Sequence, residues 1–347
     1  MSTLPVGGGI TSEFSTNIKL SDETFELAAY QVKGERDEQQ DRYVAIQLNT
    51  GAFLVGVFDG HGDHGARIAD VLAKIFPSVL TSKLKDDSTT SQIIKGLKDT
   101  FKYMDELLKS RETTKSEDSG STAVVVVVTQ THYICANVGD SRAVIIKRVK
   151  NLLDGSVSLS NGSVLSTDHD VKNATEVARA RSAGADMEDE YFLVGEAGLQ
   201  LSRAFGDFEM KYGTPPVLLC IPDIRVVKRQ SDDAFLWLFS DGVTDAMINY
   251  EHEWYVTLAS KLLASGEITT KDLVKHIVND AYCGLSPEKP IVSADATSSD
   301  NITSIIVKLP ATRAGGPTTA KKRKSIRMRG IKHGTTMKAD PELKPTT

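Results

Sequence analysis

Apolar positions along this chain recur at two different spacings. Phe25–Val32, Tyr43–Gln47 and Phe53–Phe58 are short β-branched and aromatic runs, and they predict strands. Ile68, Val71, Leu72, Ile75, Phe76 and Val79 then recur at steps of three and four, as do Ile93, Ile94, Leu97, Phe101, Met104, Leu107 and Leu108. Each series predicts an amphipathic helix with one stripe against a sheet. Val124–Val128 is too β-branched for a helix and lacks alternation, which places it centrally in a sheet covered on both faces. His132–Asn137, Arg142–Lys147, Asp223–Lys228, Phe235–Ser240 and Ile302–Lys308 read as further strands. Asp154-Gly155 and Asn161-Gly162 read as turns, with Ser163–Ser166 returning.

A helix is expected from a cap-like Asp168-His-Asp to Ser182, and two more over Glu251–Ala264 and Lys271–Cys283. Residues 185–198 read as an irregular, mobile flap, and 1–22 as a flexible segment whose tip can add to a sheet edge. The order is strands, two helices, strands, helix, strands, two helices, strand. It implies an α+β fold, an α/β/β/α sandwich of two antiparallel sheets flanked by helix pairs. The organisation read from it is 1–22, a catalytic-sized body over 23–309, and a basic tail over 310–347.

Charge sharpens this division. After Pro310 come ten Lys or Arg against two acids, a net +8; with the whole chain at −5, the remainder carries −13. An acidic body suits cation binding and opposes nucleic-acid binding. The tail, with Lys321-Lys-Arg-Lys324, is expected to be disordered and is a candidate nuclear-import signal. No apolar run is long enough to span a membrane. The start lacks a secretory leader pattern, and the three cysteines are far apart; a cytoplasmic or nuclear location is expected.

The chemistry gathers at strand ends. Asp59 follows Phe53–Phe58, Asp140 follows Asn137-Val-Gly, Asp241 follows Phe235–Ser240, and Asp300 precedes Ile302–Val307. Asp41 closes Arg36-Asp-Glu-Gln-Gln40. Brought together, these carboxylates would repel one another unless cations lay between them, and Mg²⁺ or Mn²⁺ suit such oxygen sets. The plainer reading, that Asp merely opens turns, holds for any one of them but not for the set. His61, between two glycines, is placed to ligate metal or donate a proton. Arg36 is either a surface charge or a bidentate anion clamp. Ser119-Gly-Ser-Thr122 reads as a turn feeding a strand rather than a nucleophile. Arg203 and Asp207 read as an internal pair holding a loop under the site.

Together the motifs resemble the metal-dependent Ser/Thr protein phosphatases of type 2C. The matching segments are Gly34–Asp41, Gly56-Val-Phe-Asp-Gly-His-Gly62, Ser119–Ala123, Ala136–Ala143, Leu165–His169, Arg181–Gly184, Leu201–Asp207, Phe239–Asp245 and Ser299–Thr303, in the family's order. The resemblance implies hydrolysis of phosphoserine and phosphothreonine in proteins by metal-activated water, with no covalent intermediate. It implies two Mg²⁺ or Mn²⁺ ions and a weaker third. By motif position Asp59 bridges the metals, Gly60 gives its carbonyl, Asp241 and Asp300 bind one metal, and Asp41 orients water. Asp140 joins Asp241 at the third position, Arg36 clamps phosphate and His61 is the general acid. Gln40 stands where many relatives carry a second-metal Glu, which predicts weaker metal affinity. A monomer acting on phosphoprotein substrates is expected. The alternative is a catalytically inactive phosphatase fold used as a scaffold; Gln40 alone supports it. A calcineurin-like reading of Gly62-Asp-His-Gly65 lacks its companion motif, and no cysteine has the arginine spacing of a cysteine phosphatase.

Overall fold

The computed structural model describes residues 11–111, 115–154, 156–246, 269–283 and 298–310. These belong to one compact unit, Met1–Thr312; the second unit, Arg313–Thr347, lies outside them, as do the tail and the expected helix over 251–264.

In chain order the elements are β1 (Thr11–Leu20), β2 (Glu23–Val32), β3 (Arg42–Gln47), β4 (Phe53–Phe58), β5 (Gly60–His61), α1 (Gly65–Lys83) and α2 (Thr90–Arg111). Then come β6 (Gly120–Ser121), β7 (Ala123–Val128), β8 (His132–Val138), β9 (Arg142–Lys150), β10 (Val157–Val164) and α3 (Ala174–Ser182). β11 (Asp186–Glu188), β12 (Tyr191–Val194), β13 (Ala197–Leu199), β14 (Phe205–Gly206), β15 (Asp223–Lys228) and β16 (Asp233–Phe239) follow. α4 (Asp241–Asp245), α5 (Thr270–Cys283) and β17 (Ile302–Lys308) complete the described fold.

Two antiparallel sheets stack. One has the order β1-β2-β17-β16-β9-β10, the other β15-β8-β7-β4-β3. The valine run of β7 shows why periodicity failed to alternate there. Val124, Val126 and Val128 face the other sheet, while Val125 and Val127 face α1 and α2. Both faces are dry, so neither requires polar residues. α1 and α2 bury Leu72, Phe76, Leu97 and Phe101 on one outer face, and α5 buries Leu273, Val274, Ile277 and Val278 on the other. The α/β/β/α architecture therefore holds, with the second helical layer described through α5 and the single turn of α4. No described helix is long and apolar enough to cross a membrane.

Four local expectations change. Thr11–Leu20 is a full edge strand, paired with β2 from Thr11↔Val32 to Leu20↔Glu23, because its alternating residues seat Ile18 and Leu20 in the core. Asn161-Gly162 is no turn: it lies inside β10, where the register slips between Asn161 and Val164. A Cβ on Gly162 would stand 2.5 Å from the Ile145 carbonyl, so the glycine permits the close pass. Asp168 does not cap α3; Asn173 does, its Oδ1 accepting from the Thr175 and Glu176 amides. Residues 185–198 are not irregular but form the antiparallel sheet β11-β12-β13, with Phe192 fully buried beneath it.

Candidate active site

The edge of the sandwich collects strand ends from both sheets. β2 ends before the Lys33–Asp41 loop, β4 ends before Asp59, and β8 ends before Gly139-Asp140. β16 ends before Ser240-Asp241, and Asp300 leads into β17. Carboxylate oxygens of Asp59, Asp140 and Asp241 lie within 4.8 Å of one another, and so do those of Asp241, Asp245 and Asp300. Asp241 belongs to both sets. Asp245 escaped the sequence reading, although its spacing of four from Asp241 stacks both on one helical face.

The backbone is fitted to this crowding. Gly34 has φ +65°, and a Cβ there would come within 2.0 Å of the Asp300 carbonyl. Asn301 Oδ1 accepts from the Gln40 amide at 2.7 Å, and its Nδ2 donates to the Lys33 carbonyl at 2.7 Å and that of Glu38 at 3.0 Å. One asparagine therefore holds the whole Lys33–Asp41 loop against the start of β17. Asp59 is fixed by the Thr122 amide donating to its carbonyl at 2.8 Å. A Cβ on Gly60 would meet the Gly65 carbonyl at 2.4 Å, so α1 can begin directly beside the cluster only because residue 60 is glycine.

Electrostatics follow from packing. Burial, then the charges of Asp241, Asp41, Asp300 and Asp140, hold the Asp59 carboxyl well above the usual range. Burial and Asp140, Asp245 and Asp300 do the same to Asp241. Burial and the charges of Asp168 and Asp170 push Asp140 up to about 7. Asp41 is fully buried; desolvation brings it to about 6, partly offset by nearby hydroxyls, and its Oδ1 makes no hydrogen bond of good geometry. A set of carboxylates this close, with an orphaned buried oxygen among them, matches divalent cations with water around them.

Arg36 stands exposed at the rim, one guanidinium nitrogen 2.5 Å from Asp300 Oδ2. Gln40 Nε2 donates to the Gly62 carbonyl at 2.8 Å. Arg36, Gln40, Asp59, His61, Asp241 and Asp300 line one cleft of about 230 Å³, closed on another side by Tyr191, Leu199, Gln200 and Leu201. His61 Nε2 lies 2.8 Å from Asp207 Oδ2. Burial works against the imidazolium, but the charge and hydrogen bond of Asp207 outweigh it, and the His61 pKa is raised.

The expected Arg203–Asp207 pair does not form. Arg203 instead forks onto Glu176, at 2.6 Å to Oε1, and reaches Asp223 at 2.6 Å. Asp207 is left to His61, a partner 146 residues away that no local pattern announces.

Against known proteins, the protein phosphatase 2C family model matches residues 25–282. The chain belongs to the protein phosphatase 2C family. A probable protein phosphatase 2C of Paramecium tetraurelia is 29% identical over 82% of this chain and 91% of its own. Probable protein phosphatase 2C 21 of rice (Oryza sativa subsp. japonica) is 30% identical over 81% of this chain and 82% of its own. The serine-threonine phosphatase 2C structure from Toxoplasma gondii has a TM-score of 0.65 at 21% identity, covering 86% of this chain and 99% of that one. As a phosphatase 2C, this chain is a metal-dependent protein serine/threonine phosphatase, and its substrates are phosphoproteins. The resemblance read from nine segments and the sandwich read from strand order both stand.

Proposed function

We propose that Asp59, Asp241 and Asp300, with the Gly60 carbonyl, hold two Mg²⁺ or Mn²⁺ ions, and that Asp140 with Asp241 offers a weaker third position. Asp245 adds a carboxylate to the Asp241–Asp300 side. Gln40 and Asp41 bind water around the ions through an amide oxygen and the free Oδ1. Divalent cations there supply positive charge against the phosphoryl group and activate water for attack on phosphorus.

The chain's own groups complete the reaction. Arg36 keeps donors beyond the one on Asp300 and turns its fork to phosphoryl oxygens at the cleft mouth. Tyr191 and Leu201 flank the entering peptide and narrow the access of bulk water. His61 gives its proton to the departing serine or threonine oxygen, which as an alkoxide leaves poorly. No cysteine or serine is among the described residues that line the cleft, and the nucleophile in this reading is activated water, without a covalent intermediate.

The convergence of Asp59, Asp140, Asp241 and Asp300 from distant strand ends beside Arg36 and His61 carries this reading. A metal titration of phosphothreonine-peptide hydrolysis tests it. Activity is expected to vanish in chelator, return with millimolar Mn²⁺ or Mg²⁺, and be absent at every metal concentration in Asp59→Asn and Asp241→Asn. Full turnover in chelator would overturn it.

A further inference from the structure

His61 and Asp207 meet across a small sheet. β14, β6 and β5 form a three-stranded antiparallel sheet of two-residue strands, paired Gly206↔Gly120 and His61↔Gly120. The histidine lies on one outer strand and the aspartate just beyond the other. Gly120 sits between them. A Cβ on Gly120 would stand 2.0 Å from Asp207 Oδ2 and 2.3 Å from the Phe205 carbonyl, so only a glycine leaves room for the carboxylate to reach the ring.

Asp207 is also held at some conformational cost. It is nearly buried and left-handed, with φ +47°. Its amide donates to the Ser119 carbonyl at 3.0 Å, and its carbonyl accepts from Met210 at 3.0 Å. A left-handed residue other than glycine, pinned on both sides, marks a position the surroundings determine. The neighbouring ammonium of Lys211 does not neutralise it: that group binds Asp105 at 2.7 Å and the Ala204 carbonyl at 2.9 Å. Among the described residues, His61 is the side chain that hydrogen-bonds the Asp207 carboxylate.

We infer that Asp207 is the positioning residue for His61: it accepts from Nε2–H, fixes the ring plane and leaves Nδ1 as the atom that serves the substrate. This rests on His61 being the acid, as read above. As the phosphorus–oxygen bond to serine or threonine breaks, its electron pair stays on oxygen and takes the Nδ1 proton. Nε2–H remains on Asp207, which stabilises the cationic ring beforehand, and solvent restores the Nδ1 proton afterwards. A carboxylate buried beside an imidazole fixes both orientation and tautomer in this way.

The test uses two substrates with different leaving groups, a phosphothreonine peptide and p-nitrophenyl phosphate, on the full chain at saturating Mn²⁺. Asp207→Ala is expected to lower kcat on the peptide by about 10²-fold, and on the aryl phosphate, whose leaving group needs no proton, by less than about threefold. Asp207→Asn, which keeps the shape and an acceptor, is expected to fall between wild type and Asp207→Ala, and serves as the test if Asp207→Ala does not fold. His61→Gln should show the same substrate bias, and His61→Gln with Asp207→Asn should lose no more than His61→Gln alone. Equal losses on both substrates in the Asp207 variants, or multiplying losses in the double variant, would overturn the inference while a biased His61→Gln left the acid reading standing. An unbiased His61→Gln would overturn both.

Discussion

Ser240 Oγ donates to Asp41 Oδ2 at 2.8 Å and accepts from the Thr303 amide at 3.0 Å. Asp41 introduces β3 of one sheet, and Ser240 follows β16 of the other. A single hydroxyl thus ties the two sheets together directly beneath the acidic cluster. Ser240→Ala removes a donor from a fully buried carboxylate and should destabilise the protein by about 1–3 kcal/mol. Asp41, less fixed, should then hold water less well, raising the metal concentration for half-maximal activity severalfold. Urea unfolding and a Mn²⁺ titration check the two effects separately.

The raised carboxyls make metal-free stability depend on pH. Asp41 and Asp140 move from 3.8 to about 6 and about 7 in the folded state. Well below pH 3.8 both are protonated folded or unfolded, and stability does not change with pH through them. Between about pH 4 and 7 the folded protein keeps protons the unfolded chain has released, so stability falls as pH rises. In chelator the melting temperature should drop from pH 5.5 to 7.5. Added Mn²⁺ should raise it more at pH 7.5, where the ligands are ionised and bind without losing protons. Calorimetric scans at the two pH values, with and without metal, measure both slopes.

Glu176 gives the opposite sign elsewhere. Burial pushes its carboxyl up, but Arg203, Ser202 and Arg179 more than offset that, lowering it from 4.5 to about 2. This stability is present above about pH 4.5 and is lost as pH falls toward 2. Glu176→Gln should cost about 3 kcal/mol near neutrality, and the gap to wild type should shrink by roughly half at pH 3. Urea midpoints at pH 7 and pH 3 read it out.

Gln40→Glu sets two effects against each other. A carboxylate adds charge for the metals, whereas the donor to the Gly62 carbonyl is lost. Coulombic gain from a cation a few ångströms away exceeds one neutral hydrogen bond in a partly desolvated cleft. The metal concentration for half-maximal activity should therefore fall by about 3–10-fold, while the metal-free protein loses about 1 kcal/mol. Activity titration and melting in chelator give the two numbers.

What the sequence determined was whatever chemistry is local. β-branched runs became strands, i, i+3, i+4 stripes became helices, and an Asp at a strand end stayed at that strand's end, because each of these patterns acts between residues close in sequence. Strand order implied two stacked sheets, in which Asp59, Asp241 and Asp300 could meet if their strand ends converged. The tertiary structure alone decided who faces whom across long separations. It gave Asp207 to His61 and Arg203 to Glu176, set Asp245 beside Asp300, and paired 186–199 into a small sheet that buries Phe192. Charged side chains carry no periodicity that names a partner; the pairing is chosen by which loops the packed sheets bring within a few ångströms of each other, and by a gap such as Gly120 that lets two of them touch.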